Sequence, residues 1–313
     1  MKPPSSAEWL STMRCNLRCR HCAASAGQPA EGELDTAEAE RVLEQLSELQ
    51  VKHLCISGGE FTLRDDWKEL LAMALRRFPG VAVITNGWMG GAMIDAIEAL
   101  PRVDSLTVMV SVDGMREVHD ARRGSGAWDK AVELLSTPTR AGRDIITSID
   151  VASFGELDAI ARLGVEHKVR GWNLQPSIPL GRMSAEGFLG QDGLVALAEY
   201  IVQARKLLAG KMQIFTNHWF GYFHPMREGA VWSGCPAGRD QIALLAQGDV
   251  AGCVAVPAWV CGNVRTQSIR EIWEGPRMQA VRNARPSGCD GCSGCGRGCE
   301  VMQSVLRQQF CWK

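Results

Sequence analysis

No apolar run in this chain of 313 residues approaches the roughly eighteen needed to cross a bilayer. The first residues, Met1-Lys2-Pro3-Pro4-Ser5-Ser6, lack the apolar core of a secretion signal. These absences set aside a membrane partner and export, so a cytoplasmic location is expected. Charge imbalance is missing too: 34 Lys and Arg stand against 35 Asp and Glu, a formal net charge of -1. Without a basic footprint, nucleic acid is not an expected partner. Aromatics are few, at 6%. Cysteine, by contrast, occurs 12 times. In a chain with no secretion signal, that number argues for metal ligation rather than disulfides. The cysteines gather towards the two ends, with only Cys55 between Cys22 and Cys235.

Three of them fall within Cys15-Asn16-Leu17-Arg18-Cys19-Arg20-His21-Cys22, too close together to sit on separate structural elements. A tetrahedral zinc site or a cubane iron-sulfur cluster normally takes four protein ligands, so three thiolates leave one coordination position for something else. An open position on a reducing metal centre points to catalysis. The CxxxCxxC spacing differs from the CxxC knuckles of structural zinc, although a zinc loop or disulfides remain the plain alternatives.

Residues 7 to 210 alternate strand-like and helix-like segments. Ala7 to Met13 is a short apolar run that ends at the cysteine loop. Between Thr36 and Leu49, apolar residues recur at Ala39, Val42, Leu43, Leu46 and Leu49, a helical period. Further strands are expected at 54–57, 81–84, 106–112, 145–151 and 172–174, with helices at 66–78, 91–100, 127–135, 154–163 and 191–208. Six such units imply parallel strands joined by helical crossovers. Six are too few for a closed eight-fold barrel, so the expected fold is α/β, a partial (β/α)6 TIM-like barrel. Functional residues in such folds lie at the carboxyl ends of the strands. Those ends carry Ser57-Gly58-Gly59-Glu60, Thr85-Asn86-Gly87 and Ser111-Val112-Asp113-Gly114. Glycines there let backbone approach a ligand, and the acids accept hydrogen bonds from an ammonium or from hydroxyls. Taken singly, each also reads as an ordinary turn.

Composition shifts after Gly210. The stretch from Asn217 to Pro225 concentrates aromatics and reads either as a plug between domains or as a substrate wall carrying His218 and His224. The tail then holds Cys235, Cys253, Cys261, Cys289, Cys292, Cys295, Cys299 and Cys311. Its run Cys289-x2-Cys292-x2-Cys295-x3-Cys299 matches bacterial ferredoxin spacing, with Glu300 where Pro is usual. Cys311 is available to complete a cluster on Cys289, Cys292 and Cys295, with Cys299 joining Cys235 and Cys253. A zinc ribbon is the alternative. The expected division is a barrel at 1–210, an aromatic bridging segment at 211–234 and a cysteine-rich auxiliary-cluster domain at 235–313.

Taken together, the loop, the strand ends and the tail resemble the radical S-adenosylmethionine superfamily with a C-terminal SPASM domain or its shorter twitch version. The SPASM resemblance rests on Cys235, Gly248 and Cys253, then Gly262-Asn263-Val264 and Ser268-Ile269-Arg270-Glu271-Ile272-Trp273. The two residues between Cys292 and Cys295, against five in the family, depart from it. The resemblance implies a [4Fe-4S] cluster on Cys15, Cys19 and Cys22, with His21 as the aromatic before the last cysteine and S-adenosylmethionine on the open iron. It also implies that Gly58, Gly59 and Glu60 meet the methionine amino group, that Ser111 and Asp113 meet the ribose and that Arg123 meets the carboxylate. Asn86 joins the same cofactor-binding set. Gln175-Pro176-Ser177 and Pro179-Leu180-Gly181-Arg182 fall where the family lines the adenine and substrate side.

The eight tail cysteines would hold one or two auxiliary clusters. Cys261, if free, is a candidate hydrogen-atom donor, and Cys55 is expected to pack as a small buried hydrophobe. The implied chemistry is reductive cleavage of S-adenosylmethionine to a 5'-deoxyadenosyl radical that takes a hydrogen atom from carbon, with a flavodoxin- or ferredoxin-type external electron donor. Only fourteen residues precede Cys15, so no recognition domain of the kind found in peptide-modifying members is expected. That favours a small sugar or aminocyclitol substrate of an antibiotic-type pathway, undergoing epimerisation or dehydrogenation. Peptide or sulfatase maturation is the enzymatic alternative. An electron carrier or zinc-ribbon module is the non-enzymatic one, and it would lack the glycine and acidic strand ends present here.

Overall fold

The structure, a computed structural model, describes residues 2–216, 236–256 and 259–283. Its first strand, β1 (Ser6–Leu10), shows how the sheet is built, because successive side chains of a strand point to opposite faces. Ala7 and Trp9 enter the hydrophobic core, while Ser6 and Glu8 line an interior cavity. The same division recurs in β2 (His53–Ser57), where Leu54 and Ile56 are core and His53 and Cys55 face the cavity. Strands β3 (Gly80–Thr85), β4 (Leu106–Ser111), β5 (Gly142–Ile149) and β6 (Gly171–Pro176) follow, each parallel to its neighbour. Asn173 on β6 and Glu8 on β1 line the same cavity, so the sheet curls into an open barrel.

Helices cover the outer face. In α1 (Thr36–Glu48), Asp35 accepts from the backbone of Glu38 at 2.8 Å, and the Glu38 side chain accepts from the backbone of Asp35 at 3.1 Å. This capping box satisfies two orphan donors and places Ala39, Val42, Leu43 and Leu46 on the buried stripe. Helices α2 (Trp67–Arg77) and α3 (Gly91–Glu98) lie within the expected spans. The next helix, α4 (Arg116–Arg123), was not expected: its sequence is largely charged and buries only His119 and Arg122, so no apolar stripe announces it. Helices α5 (Ala127–Ser136), α6 (Leu157–Glu166) and α7 (Gly190–Leu207) complete the layer. Fully buried Trp9, Trp172, Phe61 and Phe78 anchor the core, each contributing about 1.5–3 kcal/mol by burial. Among the described residues, no helix is long and apolar enough to cross a membrane.

Beyond residue 210 the sheet continues on both edges. Strand β7 (Gln213–Thr216) pairs in parallel with β6. Strand β8 (Gln241–Leu244) pairs in parallel with β1, aligning Glu8 with Ala243, and β9 (Asp249–Ala251) and β10 (Val260–Asn263) follow as antiparallel neighbours. The ten-stranded order is β10-β9-β8-β1-β2-β3-β4-β5-β6-β7. The described strands of the C-terminal segment are therefore hydrogen-bonded into the barrel sheet. Two further helices, α8 (Ile269–Glu274) and α9 (Pro276–Asn283), press it home: Trp273 Nε1 donates to the carbonyl of Lys2 at 3.1 Å, and Arg265 pairs with Glu38 at 2.6 Å.

Candidate active site

Directly after β1, the chain folds into the loop that carries Cys15, Cys19 and Cys22. Glu33 fastens its base, accepting from the backbone of Met13 at 2.6 Å, the backbone of Ala30 at 2.8 Å and the Thr12 hydroxyl at 2.7 Å. The end of β2 packs against the same base, with Gly59 N donating to Thr12 O at 2.6 Å and Glu60 N donating to Arg14 O at 2.8 Å. A Cβ on Gly58 would meet Thr12 O at 2.6 Å, and one on Gly59 would collide with Arg14 O. Close approach of two backbones thus requires both glycines, in addition to any contact with a ligand.

The three thiols line one cavity of about 250 Å³, whose wall also includes Gly58, Asn86, Ser111, Arg123, Gln175 and Ser177. Cys19 is buried, whereas Cys15 and Cys22 are half-buried. Burial pushes the thiols of Cys15 and Cys19 up, an effect opposed at Cys19 by Arg123. Among the described residues, no three ligand side chains converge as a single metal ion requires. Thiols spread around a cavity suit a cluster instead, in which each cysteine meets a different iron. The donor set fits a [4Fe-4S] cluster with one iron left for another ligand.

Two acids expected at the cofactor stand behind this wall. Asp113 is 0% exposed, and its oxygens accept from Arg123 Nε at 2.5 Å, His21 Nε2 at 3.1 Å and the backbone of Ser148 at 2.9 Å. Burial opposes its charge, yet Arg123, His21 and Arg122 hold the carboxyl well below the usual range. In this structure Asp113 orients Arg123 and the cluster-loop histidine, and it is not among the residues that line the cavity. Burial lowers the pKa of His21, and burial with Arg123 lowers that of His119 to about 4. Glu60 is 1% exposed and accepts from Thr62 Oγ1 at 2.7 Å, Thr85 Oγ1 at 3.1 Å and the backbone of Asn86 at 2.8 Å. It braces the ends of β2 and β3.

A second cavity, of about 440 Å³, fills the barrel interior and shares Glu8, Ile84, Ile146 and Gln175 with the first. Glu8 is the one ionisable side chain in that shared set. Its carboxyl accepts from Gln241 Nε2 at 3.1 Å, and burial raises its pKa to about 7. Nothing in the sequence pattern marked Glu8; a lone acid facing inward on β1 is legible only once the sheet curls. Cys55, expected to pack as a buried hydrophobe, instead lines this interior, with burial pushing its thiol up. Cys253 lines the same cavity from the C-terminal segment. Cys261 lies on β10 in the core, where its thiol donates to Trp259 O at 3.2 Å. Cys235, Cys289, Cys292, Cys295, Cys299, Cys311 and the aromatic stretch from Asn217 lie outside the described residues.

A parallel barrel whose first strand end carries a thiol-lined cavity, opening into a second interior cavity, suits an iron-sulfur enzyme that keeps one cluster position open for a further ligand. A model of the radical SAM superfamily matches residues 9–161, and one of the SPASM iron-sulfur cluster-binding domain matches 235–296. The chain is 30% identical over 306 residues to the mycofactocin maturase MftC of Mycobacterium ulcerans, covering 94% of this chain and 80% of that protein. It is 27% identical to the pre-heme d1 synthase of Dinoroseobacter shibae, covering 92% and 79% of the two chains. The structure of Streptococcus suis SuiB bound to S-adenosylmethionine superposes with a TM-score of 0.79 at 18% identity, over 96% of this chain and 74% of SuiB. The chain belongs to the radical SAM superfamily and carries a C-terminal SPASM domain. Its cofactors are a [4Fe-4S] cluster, auxiliary iron-sulfur clusters and S-adenosylmethionine.

Proposed function

We propose that this radical SAM enzyme modifies a peptide. The observation that carries this reading is the similarity to a maturase along 94% of the chain. It is supported by a relative of the same fold, SuiB, which has been solved bound to its precursor peptide SuiA. The expectation of a sugar or aminocyclitol substrate, with epimerisation or dehydrogenation, has no such support, and the peptide alternative takes its place.

Cys15, Cys19 and Cys22 would hold the radical-generating cluster, and Gly58, Gly59, Asn86, Ser111 and Arg123 would bind S-adenosylmethionine. When bound, the cofactors supply a radical able to remove a hydrogen atom from carbon. The protein's share is orientation and exclusion. Asp113 keeps Arg123 in place, Glu60 fixes the turn at Asn86, and the interior cavity admits the reacting side chain away from bulk water. Glu8, at the junction of the two cavities, is placed to hold a proton beside that side chain. Cys253 and the tail cysteines would hold the auxiliary clusters, with Cys261 as ligand or hydrogen donor.

The test incubates anaerobically reconstituted enzyme with S-adenosylmethionine and reductant, separately with short peptides encoded beside its gene, with iron coproporphyrin III and with an aminocyclitol. Peptide-dependent 5'-deoxyadenosine and a mass change in the peptide are expected. Turnover with the porphyrin or the aminocyclitol alone would overturn the peptide reading.

A further inference from the structure

After β6, the chain returns across the cysteine loop at Gly181 and Arg182. Gly181 has a φ of +61°, and any Cβ there would collide with the carbonyls of Cys22 and Ala23. The next residue spends three donors on that loop. Arg182 N donates to Cys22 O at 3.0 Å, Nε to Cys19 O at 2.9 Å and Nη1 to Ala26 O at 2.8 Å. Backbone and side chain of one residue therefore grip the loop at its second and third cysteines and again at Ala26. Sequence reasoning placed Arg182 on the adenine and substrate side; the structure turns it onto the loop.

Among the described residues three buried guanidinium nitrogens lack a hydrogen-bond partner, Arg122 Nε, Arg282 Nη1 and Arg182 Nη2, and of these three arginines only Arg182 lines the thiol cavity. Three other arginines near the site hold carboxylates: Arg64 pairs with Asp66 at 2.7 Å, Arg122 with Asp150 at 2.7 Å and Arg123 with Asp113 at 2.5 Å. Arg182, also in the wall of the thiol-lined cavity, has only carbonyl partners among the described residues. A buried guanidinium nitrogen without an acceptor is costly. A [4Fe-4S] core on three thiolates carries a net charge of about -1, and about -2 once reduced. A cluster held by Cys15, Cys19 and Cys22 would place such an anion in the cavity that Arg182 lines.

We propose that Arg182 is a positioning residue for the cysteine loop and the counter-cation of its cluster, with the buried Nη2–H donating to cluster sulfur. A cationic donor favours the more negative, reduced state, so Arg182 eases the electron uptake on which cleavage depends. This rests on the placement of the cluster on Cys15, Cys19 and Cys22 and is independent of the substrate.

The test is an EPR-monitored redox titration of the reconstituted full chain, following the reduced-cluster signal that changes when S-adenosylmethionine is added. Iron content and S-adenosylmethionine affinity are measured alongside. Arg182→Met should shift the reduction equilibrium about tenfold towards the oxidised form, about 59 mV for a one-electron couple. Arg182→Lys, which keeps the charge and loses the fork, should move it by less than half as much. Arg20→Met, at an exposed arginine of the same loop, should not move it. A fully loaded Arg182→Met protein with the wild-type midpoint would reduce the residue to a mechanical clamp and overturn the proposal. So would weakened S-adenosylmethionine binding at an unchanged midpoint, which would assign Nη2 to that ligand. If Arg182→Met takes up no cluster, Arg182→Lys decides: a midpoint near wild type supports the counter-cation, and a full tenfold shift overturns it. Absence of any S-adenosylmethionine-responsive signal in the wild type would instead overturn the cluster placement itself.

Discussion

Arg123 Nε donates to Asp113 Oδ2 at 2.5 Å, joining the last turn of α4 to the end of β4 beneath the cofactor cavity. Asp113 is also the anion for His21 on the cysteine loop. Asp113→Asn should leave Arg123 without its buried partner, destabilise the protein by about 3–5 kcal/mol and weaken S-adenosylmethionine binding at least about tenfold. Thermal unfolding and equilibrium binding measure the two effects. The Asp113 carboxyl is depressed in the folded state, so its contribution is present above the unfolded value of about 3.9 and is lost as pH falls through the folded one. Wild type and variant should differ by a constant offset from pH 5 to 8. A gap that closes within that range would show that another group carries the effect.

Replacing Cys15, Cys19 and Cys22 by Ala should abolish 5'-deoxyadenosine formation and lower iron content by about four atoms per chain. The auxiliary clusters should remain, so a visible iron-sulfur absorbance is expected to persist. Retained S-adenosylmethionine cleavage in the triple variant would remove the loop from the chemistry.

Glu8 makes stability fall with pH. Its folded pKa, raised to about 7 from 4.5, means the native state binds more protons than the unfolded chain between those values. Stability should therefore decline from about pH 4.5 to 7 by roughly 2 kcal/mol, allowing for screening by water in the cavity. Glu8→Gln should abolish that decline. Denaturation midpoints of both proteins across this range provide the check, and parallel slopes would contradict the assignment.

Gly59→Ala places a methyl group against Arg14 O at the root of the cysteine loop. The backbone of Gly59 must then shift, breaking its 2.6 Å bond to Thr12 O, and cluster loading should drop even though no ligand is altered. Iron content after reconstitution is the measure. Loading equal to wild type would mean that the loop tolerates the displacement.

The helices with an apolar stripe, α1 above all, were legible because burial on one face imposes a period on the residues themselves. The charged α4 was not, since its packing uses His119 and Arg122 rather than an apolar stripe. The cysteine loop and the glycine-rich strand ends were equally legible, because ligand chemistry and close backbone approach restrict residue type locally. The structure adds the neighbours that these motifs do not name. Asp113 and Glu60 share motifs with cofactor-wall residues, but they stand one layer back, holding Arg123 and Asn86.

Sequence alone determined the class of chemistry: three thiols in eight residues leave a metal centre incomplete, and an alternation of strands and helices must bury its strands between layers. Tertiary structure decided which polar groups meet. Glu8 reaches the junction of two cavities because the sheet curls, and Arg182 reaches the cysteine loop from beyond β6 because Gly181 allows contact between the two backbones. Local pattern encodes what a residue is able to do, whereas long-range packing sets the partners, and hence the charge, with which it does it.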